Sequence, residues 1–368
     1  MNRKIAFFLP PLGDGGLERT VLKLAELMAG TGSSVDLVTV KAGGSFLGKV
    51  HPDVRVVDLN AGRALSSLPG LVKYLKQQRP NTLVSAQYYI NVIAVWAKSL
   101  AGVSTKVVVT ERLATSRALA YSGKLKDKLL PVLMRRAYLK ANAIVAISKG
   151  AAKDLANLVK LPAERIIVIY NPAFDNNIVE KAAEPVDHPW FSDKQRPIIL
   201  GAGRLTGQKD FATLLRAFAL VRKRMDARLV ILGEGERRGE LEDLAKHLGI
   251  SEDIALPGFM DNPYKYMAKA TLFILSSVYE GMPNVLIEAL AVGTPAIATD
   301  CPSGPCEILP ESALVSVCDY KAMAEKITNL LKDPQQASQI LEKSQHKLDS
   351  FRPETCLRSY MELIEENA

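Results

Sequence analysis

Two carboxylates and two cations in the second half of the chain have the spacing to hold one extended, anionic, hydroxyl-rich ligand. The first pair lies in Tyr279-Glu280-Gly281-Met282-Pro283-Asn284-Val285-Leu286-Ile287-Glu288-Ala289-Leu290. Pro283 fits the first position of a helix, which places Gly281 and Met282 at its start, where free N–H groups and the helix dipole attract phosphate or sugar oxygens. Glu288 then lies roughly 7 Å further along the axis, at about 1.5 Å per residue. A carboxylate only accepts hydrogen bonds and pairs well with the vicinal hydroxyls of a hexose or a ribose, so two of them can address two parts of one ligand. The residues around Glu288 are mostly apolar, and a lone acid among them would be costly without a partner.

The cations lie in Gly201-Ala-Gly-Arg204-Leu-Thr-Gly-Gln-Lys209, just past an expected strand. Arg204 can donate in a bidentate way and Lys209 acts as a point charge, a pairing suited to a diphosphate; the alternative is two solvated side chains flanking a loop. A third candidate is Gly13-Asp14-Gly15-Gly16-Leu17 at the end of the first strand. Its glycines allow close backbone approach and the following helix offers free N–H groups to an anion, although a plain tight turn has the same composition. The spacing is not that of a dinucleotide-binding loop, and no acidic residue ends the next strand, which runs into Lys41-Ala42-Gly43. That argues against a dinucleotide-dependent oxidoreductase.

The elements that must position these groups alternate. Short apolar or β-branched runs at 4–9, 35–40, 54–59, 82–86, 106–110, 143–147 and 166–169 read as strands, with helical patterns at 17–29, 68–77, 91–100 and 124–140 between them. A polar, Pro-bearing stretch follows, with Pro185, Pro189 and Pro197, and the alternation restarts: strands at 198–202, 229–233, 254–256, 272–275 and 295–299, helices at 211–224, 237–248, 263–268 and 283–291. After that only helical patterns are expected, at 320–331, 334–348 and 354–366. Such alternation implies α/β architecture with two doubly wound parallel sheets. The expected domains are residues 1–180 on the acceptor side, a linker at 181–196, a nucleotide-binding domain at 197–345, and a C-terminal helix at 346–368 returning to the first domain. Open sheets of this kind bind ligands beyond the carboxyl ends of their strands, so two facing domains would define a cleft.

With 368 residues, 48% of them hydrophobic, the chain can build two cores. No run reaches the roughly 20 apolar residues of a membrane span. Cys301, Cys306, Cys318 and Cys356 have no metal-ligand spacing and read as reduced thiols of a cytoplasmic protein. The net charge of +8 favours anionic partners. It is concentrated: Arg112, Arg117, Lys124, Lys126, Lys128, Arg135, Arg136, Lys140, Lys149 and Lys153 face one acid, Asp127. Leu129, Leu130, Val132, Leu133, Met134 and Tyr138 are interleaved with these cations, as in a helix lying on an anionic membrane; a solvated face over a packed helix is the alternative. A nucleic-acid binder is disfavoured, because aromatics make up only 6% and no nucleic-acid motif is present.

Taken in order, Gly15-Gly16, Gly203-Arg204-Leu205 with Lys209, Leu232-Gly-Glu-Gly235, Pro257-Gly258-Phe259, and Glu280 through Glu288 followed by Gly293-Thr-Pro295 resemble the retaining glycosyltransferases of family 4, of GT-B fold. Cys301-Pro-Ser-Gly-Pro-Cys306-Glu-Ile-Leu309 is similar to a motif of members that build bacterial surface polysaccharides and lipid-linked oligosaccharides, with Cys306 where those members carry Arg. The resemblance implies that Arg204 and Lys209 bind the donor diphosphate, Glu288 the ribose and Glu280 the donor sugar. Backbone of Gly281, Met282, Pro283, Asn284 and Val285 would assist, Gly258, Phe259 and Met260 would meet the base, and Gly15 and Gly16 would close over the phosphates. It implies no required metal, a UDP-sugar donor of hexose or N-acetylhexosamine type, and a glycan or polyprenyl-linked acceptor at the inner face of the cell membrane. A GT-B sugar-nucleotide epimerase is the other reading of the same site. Many relatives carry a histidine at the end of a first-domain strand, but His51, His188, His247 and His346 do not lie there. Glu111-Arg112 ends the corresponding strand, where Glu111 could act at the reacting centre or simply pair with Arg112.

Overall fold

The computed structural model describes residues 3–11, 16–43, 47–122, 128–174, 177–193 and 195–366. The chain divides into two compact units, one of residues 1–172 with 352–368 and one of residues 173–351.

The first unit contains β1 (Lys4–Leu9), α1 (Gly16–Gly30), β2 (Ser34–Thr39), β3 (Val54–Asp58), α2 (Leu68–Gln78), β4 (Thr82–Ala86), α3 (Tyr88–Ala101), β5 (Lys106–Glu111), α4 (Thr115–Ser122), α5 (Leu130–Tyr138), β6 (Ala143–Ala146), α6 (Lys149–Val159) and β7 (Ile166–Val168). Its strands form one parallel sheet in the order β3-β2-β1-β4-β5-β6-β7. The second unit contains α7 (Ile178–Ala183), β8 (Ile198–Ala202), α8 (Phe211–Arg222), β9 (Arg228–Leu232), α9 (Arg238–His247), β10 (Ile254–Gly258), α10 (Tyr264–Lys269), β11 (Leu272–Leu275), α11 (Asn284–Ala291), β12 (Ala296–Thr299), α12 (Pro305–Ile308), β13 (Leu314–Val315), α13 (Tyr320–Lys332) and α14 (Pro334–Gln345). Its sheet is also parallel, in the order β10-β9-β8-β11-β12-β13. The last helix, α15 (Pro353–Glu366), belongs to the first unit.

The run Ile-Ala-Phe-Phe-Leu of β1 is apolar throughout because both faces of the sheet are covered. Ala6 and Phe8 point into a core with residues of α2, α3, α5 and α6, whereas Ile5, Phe7 and Leu9 point into a second core closed by α1 and by Cys356, Tyr360, Leu363 and Ile364 of α15. In each sheet the strand order reverses once, between β1 and β4 in the first unit and between β8 and β11 in the second. At such a reversal the loops leaving the two central strands diverge to opposite faces, opening a crevice at the carboxyl edge.

The structure departs from the sequence expectation in particular places. The first unit ends at Pro172, not at 180, because α7 packs on α10 and so joins the second unit. The helix expected over 124–140 begins at Leu130, with Pro131 in its first turn, where a proline starts a helix instead of interrupting one; residues 124–127 lie outside the described residues. A separate helix, α4, precedes it. Pro283 is the residue before α11, with φ −80° and ψ 91°, so the helix starts at Asn284. The stretch after β12 holds β13 as well as helices; two residues are too few to show a strand pattern.

The glycines of the second unit's carboxyl edge have a packing reason. Gly233 has φ +133°, and a Cβ placed on it would lie 2.0 Å from the carbonyl oxygen of Gly203. Backbone bonds from Gly203 N to Leu232 O (2.9 Å) and Leu205 N to Glu234 O (2.9 Å) fix that approach. Gly233→Ala is therefore expected to lower unfolding stability by about 3 kcal/mol or more, since the left-handed backbone and the carbonyl overlap both oppose it. Gly239→Ala, in α9 with nothing within 4 Å of its added Cβ, should be neutral or stabilise by up to about 1 kcal/mol. Urea midpoints of the two variants check the contrast.

Candidate active site

The loops after β8 and β11 meet at the second unit's reversal point. The Val278 amide donates to Gln208 O (2.8 Å), the Gln208 amide side chain donates to Tyr279 O (3.0 Å), and the Ser276 hydroxyl donates to Lys209 O (2.7 Å). These backbone bridges bring Lys209 Nζ to 2.6 Å from Glu280 Oε1. The side chains are only 16% and 7% exposed, and the Ser277 hydroxyl donates to the same Oε1 at 2.6 Å. Two opposite charges this far from water hold together because each faces the other and a hydroxyl donates to the shared oxygen. No hydrogen bond from the described residues reaches Glu280 Oε2, which leaves a charged acceptor for a ligand hydroxyl.

A second layer fixes the loop from below. The Ser303 hydroxyl donates to the carbonyl of Glu280, and the Thr299 hydroxyl donates to Ser277 O at 2.5 Å. Gly304, at φ +91°, sits so close to the chain that a Cβ there would come within 2.5 Å of Pro283 Cδ and 3.2 Å of Gly281 O. The Pro-Ser-Gly-Pro turn is thus the bed on which 280–283 rests. Cys301 is buried in the same layer, its thiol pushed up to about 12 by burial and by the neighbouring Glu280 charge. Cys306 is exposed.

Glu288 lies in α11, between the buried Leu286, Ile287, Ala289 and Leu290, and is itself 1% exposed. Asn284 and Val285 are half-buried, and Gly281, Met282 and Pro283 are buried. Arg204 is exposed and makes no ion pair among the described residues. Gly258, with φ +93°, ends β10, and Phe259 after it is 49% exposed, with Met260 half-buried. The carboxyl edge of one sheet therefore collects Arg204, Lys209, Gly258, Phe259 and Glu280 within the second unit, while Glu288 lies inside α11, which follows the Glu280 loop. Gly16 opens α1 in the first unit and Gly15 lies outside the described residues.

Glu111 is the residue where the geometry corrects the expectation. It neither faces outward nor pairs with Arg112. It is 1% exposed, and both its oxygens are occupied. Oε1 accepts from Asn91 Nδ2 (3.0 Å) and from the Tyr138 hydroxyl, while Oε2 accepts from the Thr115 hydroxyl (2.9 Å). Asn91 extends the network to Thr110 O (3.0 Å), and its own Oδ1 accepts from Ser85 Oγ (2.7 Å). Arg112 turns away to Asn171 Oδ1 (2.8 Å). Glu111 thus ties α3, α4 and α5 to β5 and acts as a positioning group. Asn91, Thr115 and Ser277 carry no local sequence signal: a single Asn, Thr or Ser shows its role only through the partner the fold gives it.

Both units place convergent polar groups at the carboxyl edge of a doubly wound sheet, the arrangement of an enzyme that works on nucleotide-activated ligands. The comparisons sharpen that class. The family model described as "Glycosyl transferases group 1" matches residues 184–347, and "Glycosyl transferase 4-like domain" matches 15–172. An N-acetylgalactosamine-N,N'-diacetylbacillosaminyl-diphospho-undecaprenol 4-alpha-N-acetylgalactosaminyltransferase of Campylobacter jejuni is 30% identical over 95% of this chain and 96% of its own. An amylovoran biosynthesis glycosyltransferase of Erwinia amylovora is 24% identical over 95% of this chain and 96% of its own. Among solved structures, Anabaena HepE in complex with UDP superposes with a TM-score of 0.82 at 18% identity, covering 100% of both chains. The chain belongs to the family 4 glycosyltransferases, of GT-B fold, and is an enzyme of the glycosyltransferase class.

Burial raises the Glu111 carboxyl from 4.5 to about 7, against the opposing pull of its bonds to Tyr138, Thr115 and Asn91, with the Asp154 charge adding to the rise. The folded protein then holds a proton that the unfolded chain releases between pH of about 4.5 and 7. The associated stability is full below the unfolded value and is lost as pH rises through the folded one, a change on the order of 3 kcal/mol. Urea midpoints should fall from pH 5 to pH 8 in the native protein, and the fall should be clearly smaller in Glu111→Gln.

Proposed function

We propose that this enzyme transfers a hexose or N-acetylhexosamine from a UDP-sugar, with retention of anomeric configuration, to a glycan or polyprenyl-linked acceptor in cell-surface polysaccharide synthesis. The observation that carries the donor half is the Lys209–Glu280 pair at the sheet's reversal point, with Arg204 on the same edge and Glu288 buried in the helix that follows. In this reading Arg204 and Lys209 neutralise the charge that grows on the leaving diphosphate, without a required metal. Glu280 Oε2 accepts from a sugar hydroxyl, Glu288 accepts from the ribose, and backbone from Gly281 to Val285 assists. The exposed ring of Phe259, with Gly258 and Met260, meets the base. Retention follows if the departing diphosphate draws the proton of the incoming hydroxyl from the same face of the sugar. The acceptor class is supported by the Campylobacter relative, whose name specifies a diphospho-undecaprenol acceptor.

The reading makes the donor separable from the acceptor. In a thermal-shift panel of nucleotide sugars, UDP-sugars should raise the melting temperature most. Glu288→Ala should lower UDP-sugar affinity at least about tenfold, the scale of a lost hydrogen bond to a charged group, with an unchanged far-UV circular dichroism spectrum. Titration calorimetry checks this, and unchanged affinity would remove Glu288 from the site.

The same proposal includes docking on an anionic membrane surface, with the protein peripheral on its cytoplasmic face. Around α5, Leu129 is 68%, Val132 51% and Leu139 48% exposed, and they alternate with exposed Lys128, Arg135, Arg136 and Lys140. Apolar and cationic groups interleaved on one exposed segment suit the headgroup boundary, and no helix among the described residues is long and apolar enough to cross the membrane. Flotation with phosphatidylglycerol-containing vesicles should show binding at low salt and release at high salt. Arg135→Glu combined with Arg136→Glu should abolish it; no binding of the native protein at low salt would refute the docking.

A further inference from the structure

Directly after β4, at the reversal point of the first sheet, Gln87 has φ +95° and ψ 132°. That region of backbone space is close to glycine-only, and a side chain held there costs on the order of 1–3 kcal/mol. Such a conformation persists only where the surroundings impose it, and here they do so through a buried polar network. Gln87 N donates to Thr110 O (3.2 Å), and Asn91 N donates to Gln87 O (2.9 Å). Asn91 is locked in turn by Ser85 Oγ, Thr110 O and Glu111 Oε1, and the Thr110 hydroxyl donates to Ser85 O (2.9 Å). Ser85, Asn91 and Thr110 are fully buried and Glu111 nearly so. Gln87 itself is half-exposed, as are Tyr88 and Tyr89 beside it.

Four buried polar residues thus converge on holding one half-exposed glutamine in a conformation that glycine would adopt without strain. The neutral amide carries a donor and an acceptor on one planar group, which matches adjacent sugar hydroxyls, each of which both donates and accepts. Its position is the one where an open parallel sheet meets its ligand. We infer that Gln87 is an acceptor-recognition residue: its side-chain amide hydrogen-bonds hydroxyls of the acceptor sugar, and the Ser85–Asn91–Thr110–Glu111 network exists to present it. The inference rests on the reading that the first unit receives a glycan or polyprenyl-linked acceptor.

The test uses the full chain with Gln87→Gly and Gln87→Ala. If Gln87 is held against its backbone preference for recognition, Gln87→Gly melts at or above the native protein, because the strain is relieved. A drop of several degrees in that variant overturns the inference, whatever the acceptor. With a UDP-sugar and a polyprenyl-diphosphate-linked N-acetylhexosamine as acceptor probe, both variants should raise the acceptor KM at least tenfold and leave the donor KM and the UDP-induced thermal shift unchanged. An unchanged acceptor KM, or an equal rise in both KM values, overturns it as well. If the native enzyme transfers nothing to that probe while UDP still binds, the acceptor class is at fault, and the melting comparison still decides the fate of Gln87.

Discussion

The ion pair of Lys209 and Glu280 organises the second unit. A parallel sheet covered on both faces offers no place for charge in its interior, so polar function has to gather where strands end and helices begin. At that edge the pair joins the loops of two strands adjacent in the sheet and remote in the chain. Its 2.6 Å contact is held by the bridges from Ser276, Gln208 and Val278, and the Lys209 side chain lies where a Cβ on Gly203 would come within 2.9 Å of its Cε. The Ser303–Gly304 turn supports the loop from the other side. Loss of any one layer would leave a nearly buried charge without its partner, a far larger penalty than the loss of an exposed contact.

The first unit meets the same constraint with a different outcome. Glu111 also ends up buried at a carboxyl edge, but no cation joins it; three neutral donors surround it and its proton affinity rises. The difference between the two carboxylates is one of remaining valence. Glu280 has both of its side-chain bonds on Oε1, whereas Glu111 has both oxygens engaged. Glu280 thus keeps an oxygen that no described residue bonds, whereas Glu111 is enclosed by its own partners.

How much of this was legible in the sequence follows from the range of the interactions. The two sheets were legible because covered parallel strands such as Ile5 to Leu9 are apolar without interruption, and helices between them carry a different period. The Gly-Arg-Leu, Leu-Gly-Glu-Gly and Glu-Gly-Met-Pro-Asn segments were legible as motifs because each is a contiguous run of unusual residue types, although the contact that requires Gly233 reaches back to Gly203. What was not legible depends on distant partners. Glu111 meets Asn91 at a separation of 20 residues and Tyr138 at 27, and Glu280 meets Lys209 at 71. Strand β13 needs β12 to exist at all. Pro131 and Pro283 were misplaced by a single step of local logic, the first by counting it inside a helix and the second by placing it in the helix instead of before it.

In the second unit β8 and β9 are followed by Gly203 and Gly233 and β10 ends on Gly258, with φ of +151°, +133° and +93°. There the chain turns steeply out of the sheet, and glycine removes the conformational cost while letting backbones touch. In the first unit the turn after β4 makes a similar demand on the backbone, and the residue is Gln87 at φ +95°. Glycine would take this backbone without the cost that a side chain carries there. A side chain kept against its own backbone preference, on an edge where ligands bind and above a network that immobilises it, is retained for what the side chain touches. On the proposed reading the two units use one fold in complementary ways: the donor half clears its strand ends of side chains so that backbone and a charged pair can surround a nucleotide sugar, and the acceptor half holds a neutral amide forward for hydroxyl recognition.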